Sequence, residues 1–192
     1  MTGQKKMRGA ADHIQIGELL SPSECSDIVA LFDDMRFKAN DRLFDVVASQ
    51  YIRDTEIAWL RQDQDNESLF NRIRSAIDEC NKENFGFDVW LDKFDSMQFA
   101  EYSFGQKYLW HKDYGQGEIS GRKLSICIQL SEDESYTGGE LQIFRSEDNI
   151  AAASRRIGDA IIFPSHVTHR VTPIRSGLRY SLVAWINGPP FR

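Results

Sequence analysis

The feature that most constrains this 192-residue chain is a succession of short apolar segments, separated by turns, that starts near Phe85. The strand-like segments are residues 87–91, 97–102, 124–130, 140–144, 159–163, 170–174 and 179–186. Glycine-containing turns such as Gly138-Gly139 and Ser176-Gly177 lie between them. Many short strands at this spacing predict a sandwich or barrel, and among all-β folds a jelly roll fits the strand count.

The sequence before these strands is helical in character. Ser21-Pro22-Ser23-Glu24 offers an N-cap, a proline for the first helical position and an early carboxylate, and apolar residues then recur at helical spacing to about Met35. A second helix is predicted from Asp65 or Asn66 to Cys80, with residues 45–60 between the helices as strands. We therefore expect a mainly β fold with flanking helices that cover one face of a double sheet.

The chain has no internal repeat and no Pro/Gly/Ser-rich linker that would mark a domain boundary. A length of 192 residues suits one domain with a substantial core. We expect a single domain over residues 1–192, with a helical flank at about 14–84 and a β-helix core at about 85–188.

The composition narrows the possible partners. Hydrophobic residues make up 41% and charged residues 27%, as in ordinary globular proteins, and no apolar run is long enough to cross a bilayer. The net charge of −6, with scattered Lys and Arg, makes nucleic acid an unlikely partner because phosphate binding needs a basic stripe. The polar first ten residues do not resemble a secretory signal. We expect no membrane association.

Cysteine usage indicates the compartment. Cys25, Cys80 and Cys127 are few, far apart and in no Cys-x-x-Cys pair, which is typical of free thiols in a reducing environment. Cys127 lies within an apolar run and is interpreted as a small core residue. A cytoplasmic location follows as the expectation.

A metal site is suggested by His111-Lys112-Asp113. On a strand, residues two apart point to the same side, so this imidazole and this carboxylate would converge. The third ligand would be His166 or His169, which both follow the predicted strand 159–163, whereas His13 lies in the polar N-terminal segment. Two imidazoles and one carboxylate form the facial triad of non-haem Fe(II) oxygenases. An isolated His-x-Asp is also common by chance.

Arg179 stands ten residues after His169 on an otherwise apolar strand. A buried guanidinium needs an anionic partner, and its planar fork suits a carboxylate. Ser181, two residues further on, faces the same side and can add a hydroxyl. The partner could be one of the 29 acidic residues, or it could be a bound dicarboxylate.

Four blocks of the sequence resemble one known family. They are residues 102–114 around His111 and Asp113, Gly138-Gly139-Glu140-Leu141, Gly158-Asp159 with the apolar run to Phe163, and the stretch from His169 through Pro173 and Gly177 to Ser181. In order and spacing these blocks are similar to the prolyl 4-hydroxylase branch of the 2-oxoglutarate/Fe(II) dioxygenases. The resemblance covers roughly residues 98–185.

The resemblance implies a double-stranded β-helix with Fe(II) at one mouth and 2-oxoglutarate as co-substrate. It places the metal on His111, Asp113 and His169, which are then also the catalytic set, and leaves His166 as a loop residue. For 2-oxoglutarate it implies contacts from Tyr102, Arg179, Ser181 and Trp185. On the substrate side it implies Tyr108, Arg122 and Asn187, although the family usually has histidine at the position of Asn187. L-ascorbate is implied as an accessory reductant.

The implied reaction is hydroxylation of a C–H bond with O₂, giving succinate and CO₂. The presence of Asp113 favours hydroxylation, since halogenating members of the family lack this carboxylate. The family branch implies a prolyl residue in a protein or peptide as the target, with a free amino acid or small metabolite as the alternative. A non-catalytic, cupin-like metal-binding module is a further alternative, but it would have no need of Arg179.

The polar segments near 33–50 and 113–122 are the places where we expect specificity to reside, because loops on such scaffolds carry it. We predict that residues 113–122 close over the substrate. The motifs leave the oligomeric state open.

Overall fold

The computed structural model of the protein describes residues 12–32 and 52–191, together with the backbone of residues 37–38. Helix α1 (Pro22–Leu31) begins as expected, because Ser21 and Glu24 form a reciprocal capping box and Pro22 occupies the first turn. Helix α2 (Glu67–Cys80) also begins where the sequence predicts and continues into a π turn, Asn81–Phe85. Helix α1 ends at Leu31, earlier than the expected Met35.

The strands of the described residues follow one another along the chain. They are β1 (Ile14–Ile16), β2 (Phe37–Lys38), β3 (Arg53–Asp54), β4 (Glu56–Arg61), β5 (Ser96–Tyr102), β6 (Lys107–His111), β7 (Arg122–Gln129), β8 (Tyr136–Gly138), β9 (Leu141–Ser146), β10 (Asn149–Ala152), β11 (Ala160–Pro164), β12 (His169–Val171), β13 (Ile174–Gly177) and β14 (Arg179–Asn187).

Two sheets form the body of the protein. The major sheet has the order β1-β11-β7-β14-β5-β4-β2 and the minor sheet the order β10-β9-β12-β6-β3, while β8 and β13 pair separately. The strand pairs are antiparallel throughout. This arrangement confirms the expected mainly β jelly roll with flanking helices.

The major sheet has a core on each of its two faces. On β7, Leu124, Ile126 and Ile128 belong to a cluster that includes the buried side chains of α1 and α2. The alternate residue Cys127 belongs to a second cluster, which also contains Ile143 of the minor sheet. Because side chains alternate across a strand, every second residue of β5, β7 and β14 points between the sheets. That interior is where the candidate site lies.

Some predicted elements differ from the structure. Residues 87–91 form no strand; Phe87, Val89 and Leu91 pack against the helical core from an irregular segment instead. Their alternation was therefore produced by packing and not by sheet pairing. The predicted strand 170–174 is two strands, β12 and β13, and the predicted strands at 45–60 appear as β3 and β4, with residues 45–51 outside the described ranges.

Cys25, Cys80 and Cys127 are free and buried. Burial raises the pKa of the Cys25 and Cys80 thiols to about 11, which keeps them protonated. No helix within the described part of the chain is both long and apolar enough to span a membrane.

Candidate metal and dicarboxylate site

The site begins with three side chains that the minor sheet and the loops after it bring together. His111 ends β6 and His169 begins β12, and the two residues are direct partners across these antiparallel strands. Asp113 lies just beyond β6, so the expectation that His111 and Asp113 share a strand is wrong in detail. Their side chains converge nevertheless, because the backbone N–H of Asp113 donates to the carbonyl of Ser165 and fixes the loop.

The potential ligand atoms of these three residues lie within 4.8 Å of one another. The Nε2 atom of His111 is 3.6 Å from Oδ1 of Asp113, and Nε2 of His169 is 3.5 Å from Oδ2. The imidazole ring centroids are 4.1 Å apart. Two imidazole nitrogens and a carboxylate therefore face one point.

Each imidazole is oriented by its other nitrogen. Nδ1 of His111 lies 2.7 Å from the carbonyl oxygen of Leu109, and Nδ1 of His169 lies 3.0 Å from that of Val167. A carbonyl can only accept, so Nδ1 donates and Nε2 of each neutral ring keeps its lone pair for a metal. Ser125 holds the carboxylate, because its Oγ donates to Oδ2 of Asp113 over 2.6 Å.

The charge states agree with metal binding. Burial lowers the pKa of His169, which favours the neutral imidazole. Burial by itself would raise the pKa of Asp113, but His169, His111 and the Ser125 hydrogen bond outweigh it and hold the pKa below its ordinary value. These shifts favour a neutral nitrogen donor at His169 and a carboxylate at Asp113.

Arg179 lies on the interior face of β14, directly across from Tyr102 of β5. It is only 3% exposed. Among the described residues its guanidinium contacts no carboxylate; it donates to Oγ of Ser181 at 3.2 Å and approaches Sγ of Cys127 at 3.9 Å. Its guanidinium carbon is 5.6 Å from the centre of the Tyr102 ring. The acidic residues described here thus provide no partner for this buried charge, which favours a bound anion.

The Gly138-Gly139 turn packs directly against this arginine. Both glycines have positive φ angles, 76° and 62°. A Cβ on Gly138 would lie 2.1 Å from the carbonyl oxygen of Pro173, and one on Gly139 would lie 3.1 Å from Cδ of Arg179. Larger residues would therefore push the turn away from the site. Arg155 braces the turn by donating to the carbonyl of Gly138 at 2.7 Å.

A cavity between the sheets contains the three-residue cluster. Its empty space, including the open mouth, is about 430 Å³, and it is lined by Arg53, Gln98, Tyr102, Tyr108, His111, Asp113, Cys127, Leu141, Phe163, His169, Val171, Val183 and Trp185. Tyr108 stacks on His111 with ring centroids 3.4 Å apart. Burial raises the pKa of Tyr108 to about 12, so the residue brings a neutral hydroxyl to the site.

The substrate-side residues expected from the sequence lie near the open end. Arg122 places its guanidinium carbon 4.0 Å from the centre of the Trp185 ring and donates to the backbone carbonyl of Asp113 at 3.3 Å. Asn187 is the strand partner of Arg122 and approaches Gly121. Of the three residues assigned to substrate, Tyr108 lines the cavity and Arg122 packs on the lining residue Trp185, with Asn187 beside Arg122.

The placement of His166 agrees with the sequence-based interpretation. It lies in an exposed loop, with its ring edge-on to Phe87 and Phe191, and is not part of the cluster. Cys127, interpreted as a core residue, also lines the cavity beside Arg179. Ser125, Gln98 and Arg53 were not anticipated. Ser125 and Gln98 had a signal, since each is a polar residue between two apolar neighbours on a buried strand.

The residues present fit both expected groups. The donor set of two imidazoles and one carboxylate is that of the facial triad, which leaves open positions on Fe(II). The buried guanidinium of Arg179, which contacts no carboxylate among the described residues, fits one carboxylate of a dicarboxylate, with Ser181 in hydrogen-bond contact and the ring of Tyr102 nearby.

Comparison with known proteins agrees with the fold and the site. Residues 97–187 match the family model described as the 2OG-Fe(II) oxygenase superfamily. Over 94 residues the chain is 35% identical to a PKHD-type hydroxylase of Synechococcus sp. (strain CC9605), an alignment that covers 49% of this chain and 42% of the relative. A PKHD-type hydroxylase of Hyphomonas neptunium is 42% identical over 89 residues, or 43% of this chain and 38% of the relative. Several of these relatives are thus matched over about half their length or less.

Solved structures share the fold at low identity. A prolyl-4-hydroxylase of Pseudomonas putida superposes on this chain with a TM-score of 0.73 at 20% sequence identity, and the superposition covers 92% of each chain. A prolyl hydroxylase of Trichoplax adhaerens superposes with a TM-score of 0.72 at 21% sequence identity, covering 92% of this chain and 84% of that one. Its structure was solved with a peptide fragment of the hypoxia inducible factor oxygen degradation domain.

The fold and the site define a jelly-roll domain with a facial-triad metal site. The comparisons are more specific: residues 97–187 match the family model of the 2OG-Fe(II) oxygenase superfamily, and the similar proteins include PKHD-type hydroxylases. The expectation of Fe(II) and 2-oxoglutarate is supported by this match and by the His111–Asp113–His169 site.

Proposed function

We propose that the protein hydroxylates a prolyl residue in a protein or peptide, with Fe(II) as cofactor, O₂ and 2-oxoglutarate as co-substrates, and succinate and CO₂ as products. One observation carries the proposal. The His111–Asp113–His169 cluster shares a fold interior with a buried guanidinium, Arg179, that has no carboxylate partner among the described residues. A metal-binding module would need the cluster but not the guanidinium.

Each side chain has a distinct task in this proposal. His111, Asp113 and His169 hold Fe(II), which when bound supplies the oxygen chemistry. Arg179 binds the distal carboxylate of 2-oxoglutarate, with help from the hydroxyls of Tyr102 and Ser181. Trp185 and the apolar lining, including Leu141 and Phe163, exclude water from the reacting groups. Tyr108 and Arg122, with Asn187 beside them, face the primary substrate.

The names of similar proteins support prolyl hydroxylation over oxidation of a free amino acid. The curated relatives are PKHD-type hydroxylases, and one structural neighbour was solved with a peptide. A peptide is also a more suitable partner than nucleic acid for a chain with a net charge of −6.

The decisive experiment compares the two candidate histidines. Protein purified without oxygen is mixed with Fe(II), 2-oxoglutarate and a library of proline-containing peptides, then exposed to O₂; succinate and a mass gain of one oxygen on proline are measured. We expect the wild type and His166→Ala to form both products and His169→Ala to form neither. Equal succinate from wild type and His169→Ala would refute the proposed site.

The segment 113–122 is proposed to close over the substrate. It leaves the cluster at Asp113, forms a short 3₁₀ turn at Gly117–Gly121 and returns at Arg122 beside Trp185, so it borders the cavity mouth. Closure would protect it from limited proteolysis when Fe(II), 2-oxoglutarate and a peptide substrate are all bound. Unchanged cleavage would argue against a moving segment.

Three further assignments complete the proposal. Residues 1–192 act as one catalytic domain. L-ascorbate stimulates turnover by keeping the metal ferrous, which is measurable as succinate formed per enzyme with and without it. The free, buried thiols fit a reducing compartment, and the proposed location is the cytoplasm.

A further inference from the structure

A second group of positive charges lies at the mouth of the cavity, apart from Arg179. Arg53 lines the cavity from β3, the edge strand of the minor sheet, and Arg122, at the start of β7 in the major sheet, packs on the lining residue Trp185. Arg53 donates to Oε1 of Gln98 over 2.5 Å and lies 5.0 Å from the centre of the Tyr108 ring. The two guanidinium groups therefore lie on two aromatic side chains, Tyr108 and Trp185, that line the same cavity.

Neither group has a carboxylate partner among the described residues. Within residues 12–32 and 52–191, Arg122 donates to the backbone carbonyl of Asp113 and packs on the face of Trp185. The Nε atom of Arg53 and the Nε1 atom of Trp185 are both buried without any hydrogen-bond partner in the described part of the chain. Buried N–H donors are normally satisfied, so this concentration of orphan donors at one mouth indicates a missing acceptor.

The charge balance of the site points in the same direction. In the loaded enzyme the charges of Fe(II), Asp113, 2-oxoglutarate and Arg179 would cancel, which leaves Arg53 and Arg122 as two positive charges without a carboxylate partner among the described residues. An anion held by both guanidinium groups would compensate these charges.

We propose that Arg53 and Arg122 together bind a carboxylate of the primary substrate, next to the prolyl ring that is hydroxylated. This inference rests on the proposed function and adds the substrate class, an acidic one. Trp185 Nε1 supplies a further donor, and the exposed Trp59, whose ring lies 6.2 Å from that of Trp185, extends the wall along which the substrate lies. The carboxylate can be the α-carboxylate of a terminal proline or an acidic side chain beside the proline.

Binding of matched acidic and neutral probes tests this inference. N-acetylproline is compared with N-acetylproline amide, and N-acetyl-Pro-Asp amide with N-acetyl-Pro-Asn amide. Dissociation constants are measured by tryptophan fluorescence or calorimetry on protein loaded with Fe(II) and 2-oxoglutarate without oxygen, so that binding is read without turnover. We expect at least one acidic probe to bind about tenfold tighter than its neutral counterpart. The pair that shows the preference identifies the source of the carboxylate.

Variants locate the preference. The preference is the dissociation constant of the neutral probe divided by that of the acidic probe. Arg53→Gln and Arg122→Gln should each remove most of this ratio while leaving the affinity for the neutral probe nearly unchanged. Arg53→Lys keeps the positive charge and should retain part of the ratio. Arg175→Gln, an exposed arginine on β13, is the matched control and should leave the ratio unchanged. Rising salt should reduce the ratio in the wild type. A variant that weakens acidic and neutral probes equally would show a structural role and overturn the inference.

Failure of this inference and failure of the proposed function are distinguishable. If succinate forms but acidic and neutral probes bind equally, the proposed carboxylate site is wrong and the proposed hydroxylase function stands. If the preference for acidic probes depends on Arg53 and Arg122 but no 2-oxoglutarate-dependent succinate forms, the anion site stands and the hydroxylase function is wrong.

Discussion

The hydroxyl of Ser125 donates a 2.6 Å hydrogen bond to the carboxylate of Asp113. It fixes the rotation of a side chain that lies outside any strand. We therefore expect Ser125→Ala to weaken Fe(II) binding about tenfold, since partners of metal-ligating residues contribute at this scale. Anaerobic metal titration measures the change. Ser176→Ala, an exposed serine on β13, serves as the control; an unchanged affinity in Ser125→Ala would mean that the loop alone orients Asp113.

Replacing Arg179 by Met should weaken the binding of 2-oxoglutarate without lowering the thermal stability of the ligand-free protein. The substitution removes a buried charge that lacks an acidic partner in the described structure, so the melting temperature without ligand should stay the same or rise. The dissociation constant for 2-oxoglutarate should increase on the order of 100-fold. Thermal shifts with and without 2-oxoglutarate measure both effects, and Arg175→Met provides the control. A large loss of stability without ligand would contradict the unpaired state of Arg179.

An aromatic contact joins the helical layer to the major sheet. Phe99 of β5 is 1% exposed and stacks on Phe32, at the end of α1, with ring centroids 4.7 Å apart. Phe99→Ala should lower the free energy of unfolding by about 3–5 kcal/mol, because it leaves a cavity that the surroundings cannot fill. Phe104→Ala is matched in chemistry but lies at a residue that is 80% exposed, so its effect should stay within about 0.5 kcal/mol. Urea unfolding distinguishes them.

The capping box of α1 predicts a pH-dependent contribution to stability. Hydrogen bonds from Arg72 and Ser21 lower the pKa of Glu24 from 4.5 to about 2. A carboxylate with a depressed pKa in the folded state stabilises above its unfolded pKa and loses that contribution as the pH falls through the folded value. Glu24→Gln should therefore lower the melting temperature at pH 7, and its deficit should shrink between pH 4.5 and 2. Because the ion pair with Arg72 is partly exposed, the effect should be modest.

The control for that series is Glu147→Gln, which removes one carboxylate from the exposed turn between β9 and β10. A deficit of Glu24→Gln that stayed constant across this pH range would assign the capping contribution to geometry and not to charge.

Local sequence patterns determined several elements of the fold. The capping box at Ser21 fixes the start of α1, and the alternation of residues in β5, β7 and β14 fixes which strand faces are buried, because both patterns depend only on neighbours in the chain. Ordered spacing also brought His111, Asp113, His169 and Arg179 into one hypothesis, and the structure places the first three at one point. Residues 87–91 were assigned wrongly because burial, not strand pairing, caused their alternation.

Only the tertiary structure decided what surrounds these residues. Pairing of β7 with β14 brings Ser125 opposite Trp185, and folding of the loop after β6 carries Asp113 to Ser125. Arg53 reaches the cavity because β3 pairs with β6 from more than fifty residues away in the chain. The sequence indicates which face of a strand is buried, but the long-range pairing of strands determines which residues become neighbours. That pairing placed Ser125 beside the metal ligand Asp113 and the positive charge of Arg53 beside the cavity.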